Sequence, residues 1–232
     1  MSLGRSHICC NTYSEWHSFN CWKVGFEGVD KSRLDLLIDS LFNIRTLKKM
    51  KNLMIDIETL GTKSYSVIAT MAAVEFDIET GDMGRNFYAK ISISDSLLRG
   101  LNVDPKTMEW WRKQSAEAKL EVFNERCERS NLQDALVALR DFVGNIDYFM
   151  WANSPRFDLG LIENALDVCN ISRFWDFRKE RDVRTFVDGH EKLWDGMRSD
   201  KDTAHHALTD CAVQVKMVTH VYSLKTNSKK KT

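Results

Sequence analysis

The chain has little of what would place it outside the ordinary globular class. Only two prolines occur in 232 residues, and 43% of the residues are hydrophobic, which excludes a proline-rich linker or a disordered tail as its main body. No apolar run approaches the length of a membrane span, and the longest are broken by charge within a few residues. The first twenty residues lack the charged-then-apolar layout of a secretory signal. Cysteine is scarce and scattered: Cys9, Cys10, Cys21, Cys127, Cys169 and Cys211 include no CxxC pair, so they read as reduced thiols and point to the cytoplasm. Net charge is absent too. Lys and Arg together equal Asp and Glu, whereas a protein that grips long duplexes through their phosphates carries a strong positive excess. Any contact with nucleic acid is therefore expected to be local, as at short single strands or 3' ends.

What is present divides the chain into three stretches. Residues 1–49 hold three of the six cysteines, Trp16 and Trp22, and a helical period through Leu34, Leu37, Ile38, Leu41 and Phe42. A strand-like run then starts abruptly after Met50. Two readings stand side by side: a native start at Met50 or Met54 preceded by an over-long gene product, or a genuine amphipathic docking helix. The spacing of His7, Cys9, Cys10, His17 and Cys21 matches no familiar zinc site. Residues 50–224 form the main domain, and 225–232 a basic tail around Lys229–Lys231 that reads as a solvated end.

Within the main domain, Leu53–Ile57, Val67–Ile78, Phe87–Ile93 and Tyr148–Ala152 read as strands, with a turn at Glu79–Asp82. Asp104-Pro105 is a helix start, acidic cap followed by proline at the first helical position. Further helices are expected after Ser115 and over Asn131–Val143, Phe157–Val168 and Ala207–Tyr222. Three early strands followed by helices alternating with strand predict an α/β fold, a mixed sheet flanked by helices.

Asp56 and Glu58 sit two apart at the end of the first strand, so period-two geometry points both carboxylates to one face. Two acids on a buried face repel unless they protonate or share a cation. An oxygen-only site selects hard ions, Mg²⁺ or Mn²⁺ rather than Zn²⁺. Taken alone, the pair is more often two solvated acids. Asp158 at a helix start is an ordinary cap, and His205 with Asp210 is an unremarkable H-x4-D element.

The combination, in this order along the chain, resembles the DEDDh exonuclease superfamily, which includes ribonuclease T, oligoribonuclease and polymerase proofreading domains. Within it the chain is similar to compact bacterial exoribonucleases and to bacteriophage exonuclease A. Thr107-x-x-Trp110-Trp111, Trp151-x-Asn153 ahead of Phe157-Asp158, and Asp182-Val183-Arg184-Thr185 extend the likeness, which runs from about Leu53 to Tyr222.

The resemblance implies a ribonuclease H-like, five-stranded mixed sheet and a two-metal-ion 3'-5' exonuclease acting on single strands. RNA is favoured slightly, with a single-stranded DNA exonuclease as the alternative. It implies four metal ligands, Asp56, Glu58, Asp158 and Asp210, with His205 as general base; His206 lacks the four-residue gap to Asp210 and is expected to pack or face solvent. Thr59 and Leu60 would lie against the terminal nucleotide, with Leu60 as a wedge or simply part of a turn. Trp110 or Trp111 could stack a base, although adjacent tryptophans on a helix cannot both face the core. Trp151 reads as core, Asn153 as a residue orienting the sugar or an aspartate, and Arg184 as a phosphate contact or a lock on the last helix. Relatives are often dimers, so a homodimer is compatible with the reading. A non-catalytic nucleic-acid-binding module is disfavoured, because all five motif residues are intact. Another two-metal enzyme of the ribonuclease H-like group is disfavoured by the histidine of the H-x4-D element.

Overall fold

Asn-Leu-Met-Ile-Asp-Ile-Glu-Thr leaves neither side of a strand free for water, and such a run belongs at the centre of a sheet covered on both faces. In the computed structural model, which describes residues 51–124, 126–190, 192 and 205–229, this run is strand β1 (Asn52–Thr59), buried along its whole length. It is followed by β2 (Ile68–Phe76), β3 (Met83–Lys90), α1 (Ile93–Leu98), α2 (Pro105–Arg112), α3 (Ala116–Phe123) and α4 (Leu132–Val143). Then come β4 (Phe149–Ala152), α5 (Asp158–Val168), β5 (Glu180–Asp182), α6 (Val183–Phe186) and α7 (Ala207–Lys229). The sheet order is β3-β2-β1-β4-β5. The first three strands pair antiparallel, β4 runs parallel to β1, and β5 runs parallel to β4. The five-stranded mixed sheet flanked by helices expected from sequence is the observed architecture. The readings of residues 1–49 and of the final lysines 230–231 lie outside the described residues.

The alternation of β1 divides the core. Leu53, Ile55 and Ile57 face α4 and α5, meeting Leu136, Leu139, Leu159 and Ile162. Met54 points the other way, with Ala72, Val74, Phe76 and Trp151, against Cys211, Val215 and Val218 of α7. Each fully buried large aliphatic side chain contributes about 1.5–3 kcal/mol of transfer free energy. By the same alternation Asp56 and Glu58 share the Met54 face. The sheet thus delivers both acids beneath the first turns of α7.

Helix starts match their sequence signals. Asp104 caps α2 by accepting the Lys106 N–H, and Ser115 caps α3 by accepting that of Ala118. One strand boundary departs from expectation. The predicted strand Phe87–Ile93 is in fact Met83–Lys90, because the turn before it is tight. Asp77 Oδ1 accepts the amides of Glu79 and Thr80, and Gly81 adopts φ 80°, so pairing resumes at once with Phe76 opposite Met83. Its first half is solvent-facing and polar, which hid it. At the far end Ser92 caps α1 through the Asp95 amide and ends the extended run. The short elements α1, β5 and α6 were not anticipated.

Candidate active site

Asp56 and Glu58 lie opposite Ala72 and Thr70 of β2, and the β1–β2 register breaks immediately after Glu58. Both are nearly buried, at 9% and 8% exposure. Asp158 opens α5, where the chain turns sharply: its N–H donates to Ser154 O at 2.9 Å while its Oδ2 accepts the Ser154 N–H at 3.1 Å. Asp210 stands in the first turn of α7 and accepts the His205 backbone N–H at 3.1 Å. His205 itself has φ 67°, a left-handed conformation that histidine tolerates better than most side chains. That turn brings its Nδ1 to 4.0 Å from Glu58 Oε1. Ligand atoms of Glu58, His205 and Asp210 all lie within 4.8 Å of one another. The five motif residues, remote in sequence, meet at the carboxyl ends of β1 and β4.

Their charges are not compatible as they stand. Burial, followed by the charges of Asp158, Glu58 and Asp210, pushes the Asp56 carboxyl well above its usual range, against a hydrogen bond from Gln214 that lowers it. Burial likewise lifts Asp158 to about 7, against backbone amides at Ser154 and Asp158 and the Arg184 charge, which pull it down. Beneath them burial, with the same carboxylates, raises the Cys211 thiol, whose Sγ lies 3.6 Å from Met54 O. A neutral, inert thiol results. Four buried carboxylates that repel each other, with one imidazole beside them, fit a hard divalent cation.

A cleft of 520 Å³ opens beside Glu58, lined by Thr59, Thr62, Asp104, Lys106, Thr107, Trp110, Trp111 and Phe157. Of the two adjacent tryptophans, Trp111 is core: it is 1% exposed and its Nε1 donates to Thr59 O at 2.9 Å. Trp110 is 42% exposed in the cleft wall. Both meet the His205 ring edge-on, at centroid distances of 4.9 Å for Trp110 and 5.8 Å for Trp111. Thr59 lines the cleft, with its hydroxyl donated to Gly61 O at 2.8 Å.

The wedge expected of Leu60 is corrected. Leu60 is buried in the core, and its backbone is tied to Val67 and Asp104. Trp151 is core as expected, its Nε1 donating to Asn52 Oδ1 at 2.9 Å. Asn153 keeps a buried Oδ1 with no hydrogen-bond partner among the described residues. Arg184 is exposed, and acts on Asp158 through its charge. His206 packs: its ring stacks on Tyr88 at 5.1 Å and 16°, with Nε2 3.7 Å from Glu121 Oε1. Burial works against the charge of Glu121, but hydrogen bonds from Tyr88 and Lys90 outweigh it and hold that carboxyl below its usual value.

Sequence reasoning passed over Gln214, which donates to Asp56 Oδ1 at 2.7 Å. Its signal was its place four residues after Asp210, one turn along the same helix face. Thr62 and Lys106 carried no signal beyond nearness to the motifs. Phe157 and Thr107 were already inside them.

Residues 51–222 match the model of the 3'-5' exoribonuclease Rv2179c-like domain. The chain belongs to this family. The exonuclease domain is also 26% identical over 203 residues to the exodeoxyribonuclease of Enterobacteria phage T4, covering 73% of this chain and 88% of the phage protein. Among solved structures it is similar to E. coli exonuclease I, crystallised with a dT13 oligonucleotide, at TM-score 0.58 and 16% identity over 77% of this chain. It spans only 42% of exonuclease I. The RNase domain of the yeast Pop2 protein superposes at TM-score 0.50 and 11% identity, covering 82% of this chain and 84% of that one. At these identities the two structures speak for the fold. No helix among the described residues is long and apolar enough to cross a membrane.

Proposed function

We propose that this protein removes nucleotides one at a time from the 3' ends of single-stranded nucleic acid, RNA ahead of DNA, using two divalent cations, Mg²⁺ or Mn²⁺. The reading is carried by one observation: Asp56, Glu58, Asp158, Asp210 and His205 converge beside a cleft of 520 Å³ whose wall includes Glu58. The four carboxylates would hold the cations, which supply charge to stabilise a pentavalent phosphorus and the departing oxygen. Asp56, hemmed in by the other three, would be the shared ligand. His205 takes a proton from the attacking water at a ring nitrogen, a task suited to an imidazole. The water oxygen bonds to phosphorus, the bond to the preceding 3' oxygen breaks and that oxygen is protonated. A nucleoside 5'-monophosphate leaves.

Trp110 offers an exposed ring for the terminal base, and Thr59 and Lys106 line the path of its sugar and phosphate. Arg184 reaches the same end of the sheet, and Asn153 brings an unsatisfied carbonyl to the loop before Asp158. The preference for RNA leans on the description of the matching family. The phage relative favours a second reading, a DNA exonuclease of the same mechanism. The free thiols of Cys127, Cys169 and Cys211 suit a cytoplasmic setting, and the proposal extends to a homodimer, checked by light scattering.

The decisive experiment incubates purified protein with 3'-ended RNA and DNA oligomers of matched sequence, with Mg²⁺, Mn²⁺ or EDTA. Stepwise release of 5'-monophosphates from RNA, abolished by EDTA and by Asp158→Ala, is expected. Faster cleavage of DNA would select the second reading. Full activity in EDTA or in Asp158→Ala would overturn both.

A further inference from the structure

We infer that Gln214 is a positioning residue for the cation site: its side-chain amide fixes Asp56 in the orientation in which a divalent ion is bound. The inference rests on the metal-dependent reading above. Gln214 lies one turn beyond Asp210 on α7, so one helix face supplies both a candidate ligand and a clamp on the carboxylate across from it. The clamp is built in. Gln214 is 3% exposed, and its Nε2 donates to Asp56 Oδ1 at 2.7 Å.

The residue type matters more than the contact. A lysine or arginine here would neutralise the cluster itself and compete with a cation for Asp56. An acid would add a further negative charge to four carboxylates already in conflict. An aliphatic residue would leave Asp56 Oδ1 buried without a donor. An amide holds one carboxylate oxygen, adds no net charge and leaves the other oxygen for an ion.

A second observation points the same way. Gln214 Oε1 is buried and has no hydrogen-bond partner among the described residues. A buried acceptor is costly to leave unpaired. The water around a bound cation is a donor of the right kind. The amide would then join Asp56 on one side to the ion's hydration on the other, as partners behind metal ligands commonly do.

The test uses the full chain and Mn²⁺ as probe, titrated by electron paramagnetic resonance without nucleic acid. Thermal melts in EDTA run in parallel. Gln214→Met keeps the bulk and removes the donor; it is expected to weaken Mn²⁺ binding by about 10- to 100-fold. Gln214→Lys is expected to melt higher than wild type in EDTA and to bind no Mn²⁺, since the ammonium replaces the ion. A purely structural glutamine would lower the EDTA melting temperature on change to Met and leave Mn²⁺ affinity within twofold of wild type. That result, or normal Mn²⁺ binding by Gln214→Lys, overturns the inference. If wild type itself takes up no Mn²⁺, the metal-site reading falls first and carries this inference with it.

Discussion

The backbone N–H of His205 donates to the carboxylate of Asp210 at 3.1 Å, so the proposed base and a proposed ligand hold each other in place across the start of α7. The two roles of Asp210 separate by substitution. Asp210→Ala removes the acceptor and is expected to cost about 1 kcal/mol, as lost helix caps do, together with all turnover. Asp210→Asn retains an oxygen for the His205 amide and removes one charge from the repelling cluster. It should therefore melt no lower than wild type in EDTA while remaining inactive. Melts and oligomer cleavage on both variants check this; a fully active Asn variant would remove Asp210 from the ligand set.

Metal-free stability should fall as pH rises. In the unfolded chain Asp158 ionises near its ordinary value of 3.8, whereas in the folded protein it keeps its proton to about 7, and Asp56 is also raised. Between those values the folded state binds more protons than the unfolded one, so raising pH favours unfolding. With EDTA present, the melting temperature is expected to drop from pH 4 towards pH 7. Mg²⁺ or Mn²⁺ should reverse the drop, and most strongly at the upper end. A metal-free melting temperature that climbs through this window would contradict the buried, mutually repelling carboxylates.

Adjacent tryptophans should behave as different residues. Trp111 is 1% exposed, packed in the core behind the cleft and hydrogen-bonded to Thr59, so Trp111→Ala is expected to destabilise by about 3–5 kcal/mol. Trp110 stands in the cleft wall. Trp110→Ala should change stability by less than about 1 kcal/mol, yet weaken oligonucleotide binding by about 1–3 kcal/mol if a base stacks there. Chemical denaturation and fluorescence anisotropy on the two variants separate these effects. Equal losses in both assays would show that the indoles share one structural role.

A third polar cluster is expected to matter for folding alone. Glu75 is 2% exposed on the opposite face of the sheet from Asp56. It accepts from Arg85 Nε at 3.0 Å and from the Arg85 backbone at 3.1 Å, with a further hydrogen bond from Tyr148. Arg85→Met would strand this carboxylate. The penalty for a fully buried pair is reduced here because half of the arginine side chain is in solvent, leaving about 2 kcal/mol. Cleavage rates at a temperature where the variant is folded should match wild type; a large loss of turnover would mean that Glu75 communicates with the site.

The core of the fold was legible because its signals are local. Apolar runs marked β1 and β2, and Asp104-Pro105 and Ser115 marked helix starts that the structure reproduces. What escaped were short elements whose existence depends on partners elsewhere. β5 is three residues of alternating charge at a sheet edge, extended because β4 is beside it. The same contrast runs through the site. Asp56, Glu58, Asp158, His205 and Asp210 were named through the resemblance of their order along the chain to the DEDDh exonucleases. Leu60 could not be assigned, because whether a leucine after a strand enters a cleft or the core depends on the backbone ties from Val67 and Asp104. Gln214 looked like any polar helix residue until Asp56 was found opposite it.

One element, α7, both closes a face of the sheet and brings in Asp210 and His205. Docking of this last helix would thus complete the proposed catalytic centre. A partly unfolded molecule with α7 detached would lack the proposed base and one of the four proposed carboxylate ligands. On the proposed reading, a 3'-5' exonuclease of this design is silent whenever it is incompletely folded, with no inhibitor required.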